Sequence, residues 1–361
     1  MSEIAPVVGG HSVNLLERQL SANWTAIRKA RASTIEKRSV LQAAFENNIP
    51  PDTTLVVFGS IAREEVTSGS DSDWILLVDG QAVPEHSTLQ HSIAEEMKRL
   101  KFSEPWKAGP FGRMVASHDI VHEIGGEDDT NSNTTRRVLL LLESLAVGKR
   151  EAYDRVRRQI LNRYLKDDRG LVHASGRFRL PRFLLNDLTR YWRTVTVDFV
   201  YKQRAEAGRK WALRNAKLRM SRKLIFASGL LRCFLCQLDP KAAAAREALG
   251  PPQFDTAKLL TYLEEGLRQT PLDVLAQAAL RPAIESDTKR KLFDSYDRFL
   301  SILDDTEKRG ELENLKEDQI KTSTAWHEIS ELSRTFHAGL VELFFGKDKE
   351  LWDISTQYGV F

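Results

Sequence analysis

The chain of 361 residues changes hydrophobic rhythm several times along its length. From about Val13 to Asn48, the apolar residues Leu15, Leu16, Leu20, Trp24, Ile27, Ile35, Leu41 and Phe45 recur at helical spacing with charges between them. That predicts one long helix or two. The rhythm then breaks. Leu55-Val56-Val57-Phe58 is a compact apolar run of strand character. Gly59-Ser60 ends it, and the segment beginning Ile61-Ala62-Arg63-Glu64-Glu65 has helix-forming composition. Thr67-Ser68-Gly69-Ser70 carries turn chemistry. A second strand runs from Asp73 to Val78. After the Asp79-Gly80 turn, His86–Leu100 reads as an amphipathic helix, with Ile93, Met97 and Leu100 on its apolar side. Phe111–Ala116 is the best candidate for a third strand, and the segment from Thr134 to Ser144 starts like a capped helix.

From about residue 150 onward the pattern is almost wholly helical: Tyr153–Tyr164, Phe183–Tyr201, Trp211–Leu238, Thr256–Arg268, Pro271–Ala279, Thr288–Leu303 and Thr324–Phe345. Gly170, Gly176, Pro181, Gly208, Pro240, Gly250-Pro251-Pro252 and Pro271 punctuate it. No fixed repeat period is visible. Residues 1–12 read as loose, and the mixed-charge stretch Asp304–Lys321 as a mobile connection. The tail Trp352–Phe361 is apolar enough to dock. The fold class expected is α+β. A small mixed sheet with helices (51–150) follows an N-terminal helical segment (1–50) and precedes an all-helical domain (151–361).

Composition narrows the class. Apolar residues make up 42% and charged residues 29%, enough for a packed soluble core. No apolar run is long enough to span a bilayer: the best, Leu224–Cys236, is short and contains Arg232. No charged start followed by an apolar run indicates a signal peptide. Two cysteines argue against a disulfide framework and for a reducing, cytoplasmic setting. Cys233 and Cys236 lie in a helical apolar run and read as buried thiols. His86 and His91 lack zinc-like partners and read as surface or capping residues.

Candidate chemistry concentrates at Asp71-x-Asp73. Residues two apart on a strand share a face, so these carboxylates project together at the strand's start. Parallel carboxylates repel unless a cation lies between them. Mg²⁺ is the natural hard partner, and it brings nucleotide phosphates with it. Gly59-Ser60 can offer backbone N–H groups and a hydroxyl to the same phosphates. Arg63 can offer a bidentate fork.

The order strand, Gly59-Ser60-x-Ala62-Arg63-x-Glu65, then Ser70-Asp71-x-Asp73 and a second strand resembles the signature of the DNA-polymerase-β nucleotidyltransferase superfamily. The arginine and glutamate after Gly-Ser, and the serine before the acids, look most like the branch of protein-PII uridylyltransferase and glutamine-synthetase adenylyltransferase. The resemblance implies a nucleotidyltransferase with Asp71 and Asp73 as catalytic metal ligands for Mg²⁺ or Mn²⁺. It also implies Gly59, Ser60, Arg63 and Ser70 on the nucleoside triphosphate, with ATP the expected one. The superfamily usually carries a third carboxylate on the third strand, and no acid lies inside Phe111–Ala116. Asp119 is the preferred candidate, with Glu104 and Asp128-Asp129 as alternatives. A leucine run ending in Glu143, then Gly148, is similar to the segment after that strand in the same branch.

The stretch 177–232 is strongly basic. It runs from Arg177 and Arg179 through Lys210, Arg214, Lys217, Arg219, Arg222 and Lys223 to Arg232, against only Asp187, Asp198 and Glu206 as acids. Such a surface suits a triphosphate, a nucleic acid or an acidic protein. Asn186, Asp187, Arg190 and Arg193 can line a nucleotide cleft between the lobes. The expected activity is Mg-dependent transfer of a nucleoside monophosphate to a hydroxyl of a protein or RNA acceptor, with pyrophosphate released. Synthesis of a signalling nucleotide, and a non-catalytic nucleotide-binding sensor or toxin-system component, are the alternatives. No membrane partner is expected, and the sequence carries no oligomer signal.

Overall fold

The computed structural model describes residues 11–46, 49–105, 109–166, 168, 180–206, 208–239, 256–316 and 319–359. The N-terminal rhythm resolves into two helices, α1 (Ser12–Gln19) and α2 (Thr25–Phe45). Four strands follow: β1 (Thr53–Phe58), β2 (Trp74–Val78), β3 (Arg113–Ala116) and β4 (Ser144–Val147). They lie in the order β3-β2-β1-β4. β1 is antiparallel to β2 and β4, and β2 is parallel to β3. Between them come the single turn α3 (Ser60–Arg63), α4 (Pro84–Arg99), α5 (Ser117–Val121) and α6 (Asn131–Leu142). Thr130 caps α6, its hydroxyl accepting from the Asn133 N–H. The fold is therefore α+β, as the pattern predicts.

Every residue of β1 and β2 is buried, because both sheet faces are covered. Such strands read as continuous apolar runs rather than alternations. Leu55, Val57, Trp74, Leu76 and Val78 pack with Leu41 and Phe45 of α2 and Ile93 and Met97 of α4. Val56, Phe58, Ile75, Leu77 and Val115 point the other way, into a second cluster that runs unbroken into the helices beyond residue 150. Sheet and helical region thus share one core.

The helical region comprises α7 (Glu151–Lys166), α8 (Arg182–Ala205), α9 (Trp211–Lys217), a π-turn (Leu218–Arg222), α10 (Lys223–Leu238), α11 (Thr256–Gly266), α12 (Pro271–Ala279), α13 (Ser286–Asp304), α14 (Thr306–Asn314), α15 (Thr324–Phe345) and α16 (Lys349–Tyr358). Three expectations change. The polar segment after Gly59-Ser60 makes only one helical turn, because Glu64 turns left-handed with φ 64°. β4 appears where a helix end was expected. Within the mixed-charge stretch expected as a mobile connection, Thr306–Asn314 forms a helix. Asp305 caps α14 through the N–H groups of Glu307 and Lys308, and α14 buries Arg309 and Leu312. The tail docks as expected through Leu351 and Ile354. Both cysteines are buried free thiols. Among the described residues, no helix is long and apolar enough to cross a membrane. The calls on residues 1–10, Gly170, Gly176, Arg177, Arg179, Pro240, Gly250-Pro251-Pro252 and the last two residues lie outside the described residues.

Candidate active site

The site forms where β1 ends and β2 begins. The Asp73 carbonyl accepts from the Phe58 N–H at 2.9 Å, which extends the antiparallel ladder one residue beyond β2. The acid pair is thereby fixed beside the point where Gly59 leaves β1. Gly59 has φ 74°, a left-handed conformation that side chains rarely adopt. That conformation turns the chain sharply into Ser60. The Ser60 hydroxyl oxygen is buried and, among the described residues, meets no hydrogen-bond partner, an unusual state for a buried polar atom.

The loop leading to the acids is stapled to the helical region. The Ser68 N–H donates to Asp304 Oδ1 at 2.9 Å, and Arg309 donates to the Gly69 carbonyl. A Cβ at Gly69 would run into the Arg309 guanidinium. Ser70 accepts from the Thr67 N–H at 2.9 Å, so its hydroxyl closes this turn.

Arg63 is nearly buried. Its Nε donates to Glu65 Oε2 at 2.8 Å and its Nη1 to Glu143. Tyr296 of α13 donates to the other Glu65 oxygen at 2.9 Å. The fork expected on a phosphate therefore meets two carboxylates of its own chain. Glu143 is the residue that sequence reasoning left out of the site. It immediately precedes Ser144, which pairs with Phe58, so the end of the leucine run falls beside Gly59. A lone glutamate closing an apolar run was the only available signal.

The structure does not bring Asp119 to the acid pair. β2 and β3 run parallel, with Val78 opposite Ala116, and Asp119 lies beyond that end. Asp73 lies before the other end, and a five-residue strand spans roughly 17 Å at its usual rise. The place level with Asp73 is taken by Phe111, whose ring packs on Phe58 with centroids 5.0 Å apart. Asp129 is also occupied. It sits in a buried node where Arg137 donates to Asp129 at 2.9 Å and to Asp187 at 2.7 Å. Arg190 joins the same node through Asp129. Asp187 and Arg190, expected to line a cleft, instead lock α6, α7 and α8 together. Glu104 is exposed.

Cations of the helical region complete the site. Lys217 Nζ donates to Asp71 Oδ2 at 2.8 Å. Burial pushes the Asp71 carboxyl up, but Lys217, then Arg309 and Lys210, outweigh it and hold the group below its ordinary value. Asp73 moves oppositely. Burial, then the neighbouring Asp71 and Glu143, push it up to about 6, with Lys202 and Arg222 opposing. Burial and Arg222 also lower the Lys202 ammonium. Crowded carboxylates that resist joint ionisation are a recognisable sign of a functional cluster. Other basic residues are spent locally: Arg214 on Glu206, and Lys210 near Glu313 at 3.7 Å.

These residues fit a hard divalent cation. The donors are carboxylate and hydroxyl oxygens, as Mg²⁺ prefers. The repulsion at Asp73 needs a positive charge, and at Asp71 an ammonium already stands in that role. Among the described residues, the Ser60 hydroxyl has no partner and is free to meet another oxygen or hydrogen-bonding group.

Residues 15–102 match the family model described as "Putative nucleotidyltransferase DUF294". The matched span runs from α1 through α4 and contains β1, Gly59-Ser60 and the acid pair, in keeping with the nucleotidyltransferase superfamily. No curated protein matches the chain.

Proposed function

We propose that this chain is a Mg²⁺- or Mn²⁺-dependent nucleotidyltransferase that moves a nucleoside monophosphate from a nucleoside triphosphate, ATP being the expected donor, to a hydroxyl of a protein or RNA acceptor. One observation carries the reading. Two mutually repelling carboxylates, Asp71 and Asp73, adjoin a glycine-serine bend with an unpartnered hydroxyl. The family match over that segment supports it.

In this reading Asp71 and Asp73 hold the cation, and Gly59 and Ser60 seat phosphate oxygens. The cation, when bound, neutralises phosphate charge and favours ionisation of an attacking hydroxyl. The acceptor oxygen forms a bond to the α-phosphorus as the bond to the pyrophosphate oxygen breaks, so pyrophosphate leaves with that electron pair and the hydroxyl proton passes to solvent. The chain's part is positioning and charge stabilisation, which supply most of the rate in phosphoryl transfer. Arg63 acts at one remove: held between Glu65 and Glu143, it fixes the bend that carries Ser60. The exposed cations of the basic stretch 177–232, among them Arg193, Arg204 and Arg209, are the docking side for the acceptor.

The test incubates the protein with labelled triphosphates, Mg²⁺ and lysate. Protease and ribonuclease digestion then show which polymer carries label. Label lost in the Asp71→Asn, Asp73→Asn double variant supports the reading, and label unchanged in it rejects the assignment. A second reading, nucleotide sensing without turnover, draws on the missing third carboxylate, since Phe111 stands level with Asp73. Tight triphosphate binding with neither label nor pyrophosphate from the wild-type protein selects that reading.

A further inference from the structure

The helix bearing the basic residues changes its winding beside the acid pair. α9 ends at Lys217, a π-turn covers Leu218–Arg222, and α10 resumes at Lys223. On an ideal α-helix, residues five apart point about 140° away from each other. A π-turn closes i→i+5 hydrogen bonds and inserts one extra residue, which brings positions i and i+5 towards one side. Lys217 and Arg222 are five apart, and both address the acid pair: Lys217 bonds Asp71, and Arg222 acts on Asp73.

The two cations differ in how they are engaged. Lys217 is bonded to a carboxylate that is 63% exposed in its side chain, so this ion pair can exchange with solvent ions. Arg222 is half-buried. Among the described residues its guanidinium makes no hydrogen bond and no ion pair, although it sits within electrostatic reach of Asp73 and Glu143. An arginine fork that engages no acid directly, within electrostatic reach of Asp73 and Glu143, is poor as a structural arrangement. It is well suited to an anion with several oxygens.

We propose that Lys217 and Arg222, brought to one side by the π-turn, grip the β- and γ-phosphates of the triphosphate, and that Lys217 guards Asp71 until the nucleotide arrives. This rests on the reading of the site as a nucleotidyltransferase centre. Without ligand the Lys217 ammonium neutralises Asp71. With a metal-triphosphate bound, Asp71 would be released to hold the cation and Lys217 to meet a phosphate oxygen, so every charge would keep a counter-charge. Arg222 contributes a planar fork that needs no such exchange.

The experiment uses the full chain with two probes, Mg²⁺-ATP and Mg²⁺ with inorganic tripolyphosphate, and measures affinity by calorimetry. Mn²⁺ alone is titrated by paramagnetic resonance. Lys217→Met should weaken both phosphate probes by about tenfold or more, a change readily resolved in a binding constant. The same variant should tighten Mn²⁺ alone, because the ammonium no longer competes for Asp71. Arg222→Met should weaken both phosphate probes while leaving Mn²⁺ binding within about twofold. Lys217→Arg keeps the charge, guards against a folding artefact and should retain tripolyphosphate binding. Phosphate-probe affinities unchanged in both methionine variants, or Mn²⁺ binding weakened in Lys217→Met, would overturn the inference. If either result occurs while the Asp71→Asn, Asp73→Asn double variant still loses transfer, the nucleotidyltransferase reading stands without it. Transfer unaffected in that double variant removes the reading itself.

Discussion

Two clusters of acids and arginines lie within the same fold and are built to opposite ends. In the first, Arg137 is fully buried. It donates to both oxygens of Asp129, to Asp187 and to the Tyr164 hydroxyl, while Arg190 and the Gly125 N–H close the remaining sides of Asp129. Every charge there has its counterpart. In the second, at Asp71 and Asp73, the acids crowd each other, and among the described residues a serine hydroxyl is unmatched and Arg222 makes no hydrogen bond or ion pair. A closed set of charges holds helices together. A set left incomplete is arranged for something that arrives from outside. The contrast teaches that residue type says little, and that the degree of satisfaction separates scaffold from site.

The largest effect expected is on the closed cluster. Arg137→Met leaves Asp129 and Asp187 buried without their main partner, and breaking such a pair costs about 3–5 kcal/mol. Chemical denaturation should show that loss. A loss below about 1 kcal/mol would mean that the node is not sealed as described. The acid pair should answer oppositely. Asp71→Asn with Asp73→Asn should lower nucleotidyl transfer by at least about a hundredfold. It should change the melting temperature little, because relief of the repulsion at Asp73 offsets the lost Lys217–Asp71 ion pair.

A third cluster sharpens the comparison through pH. Asp273 is buried and accepts from His11, the Val13 N–H, Arg31 and Thr270, tying α1 and α2 to α12. Burial raises its carboxyl, but His11 and Arg31 outweigh it, and the group falls from 3.8 to about 2. A lowered folded-state value gives stability that is present above pH 4. That stability is lost as pH falls towards 2, and it amounts to roughly 2 kcal/mol. The same hydrogen bond raises His11 above 6.5. Its contribution is therefore present below pH 6.5 and fades as pH rises through the raised value. Stability measured against pH should show both limbs in the wild type. Asp273→Asn should flatten the acid limb, and an unaltered limb would refute this linkage. The smallest effect is expected at Ser60→Ala, which removes an oxygen the fold does not use. Stability should hold within about 0.5 kcal/mol. Triphosphate affinity should fall by about three- to tenfold, the worth of one hydrogen bond to a charged group.

Much of this centre was readable in advance because it is local. Strand, Gly59-Ser60, turn, Asp71-x-Asp73 and strand occupy one short segment, and each step has its own backbone chemistry. What escaped the sequence depends on distant partners. Arg63 has the same composition signal whether its fork meets phosphate or, as here, Glu65 and Glu143. Ser144–Val147 follows a leucine run with no break, so only its pairing with β1 makes it a strand. α14 buries little besides Arg309 and Leu312, which leaves no apolar stripe to detect. The π-turn shifts helical phase by a single residue, too little to register in a pattern of threes and fours. Phe111 level with Asp73 follows from a register that only the parallel pairing of β2 and β3 fixes.

The contacts of Glu65 with Tyr296, Ser68 with Asp304 and Gly69 with Arg309 span 231, 236 and 240 positions of chain. The bend and the acids come early in the chain, held by the Phe58–Asp73 bond and by Arg63 with Glu65 and Glu143, and these three further braces come much later. A polypeptide ending before α13 would carry the whole family-matched span and its local ladder at Asp73, but would lack these three long-range contacts. The braces of the bend are thus added from the far end of the chain, which makes the local motif and the later helices one folding unit.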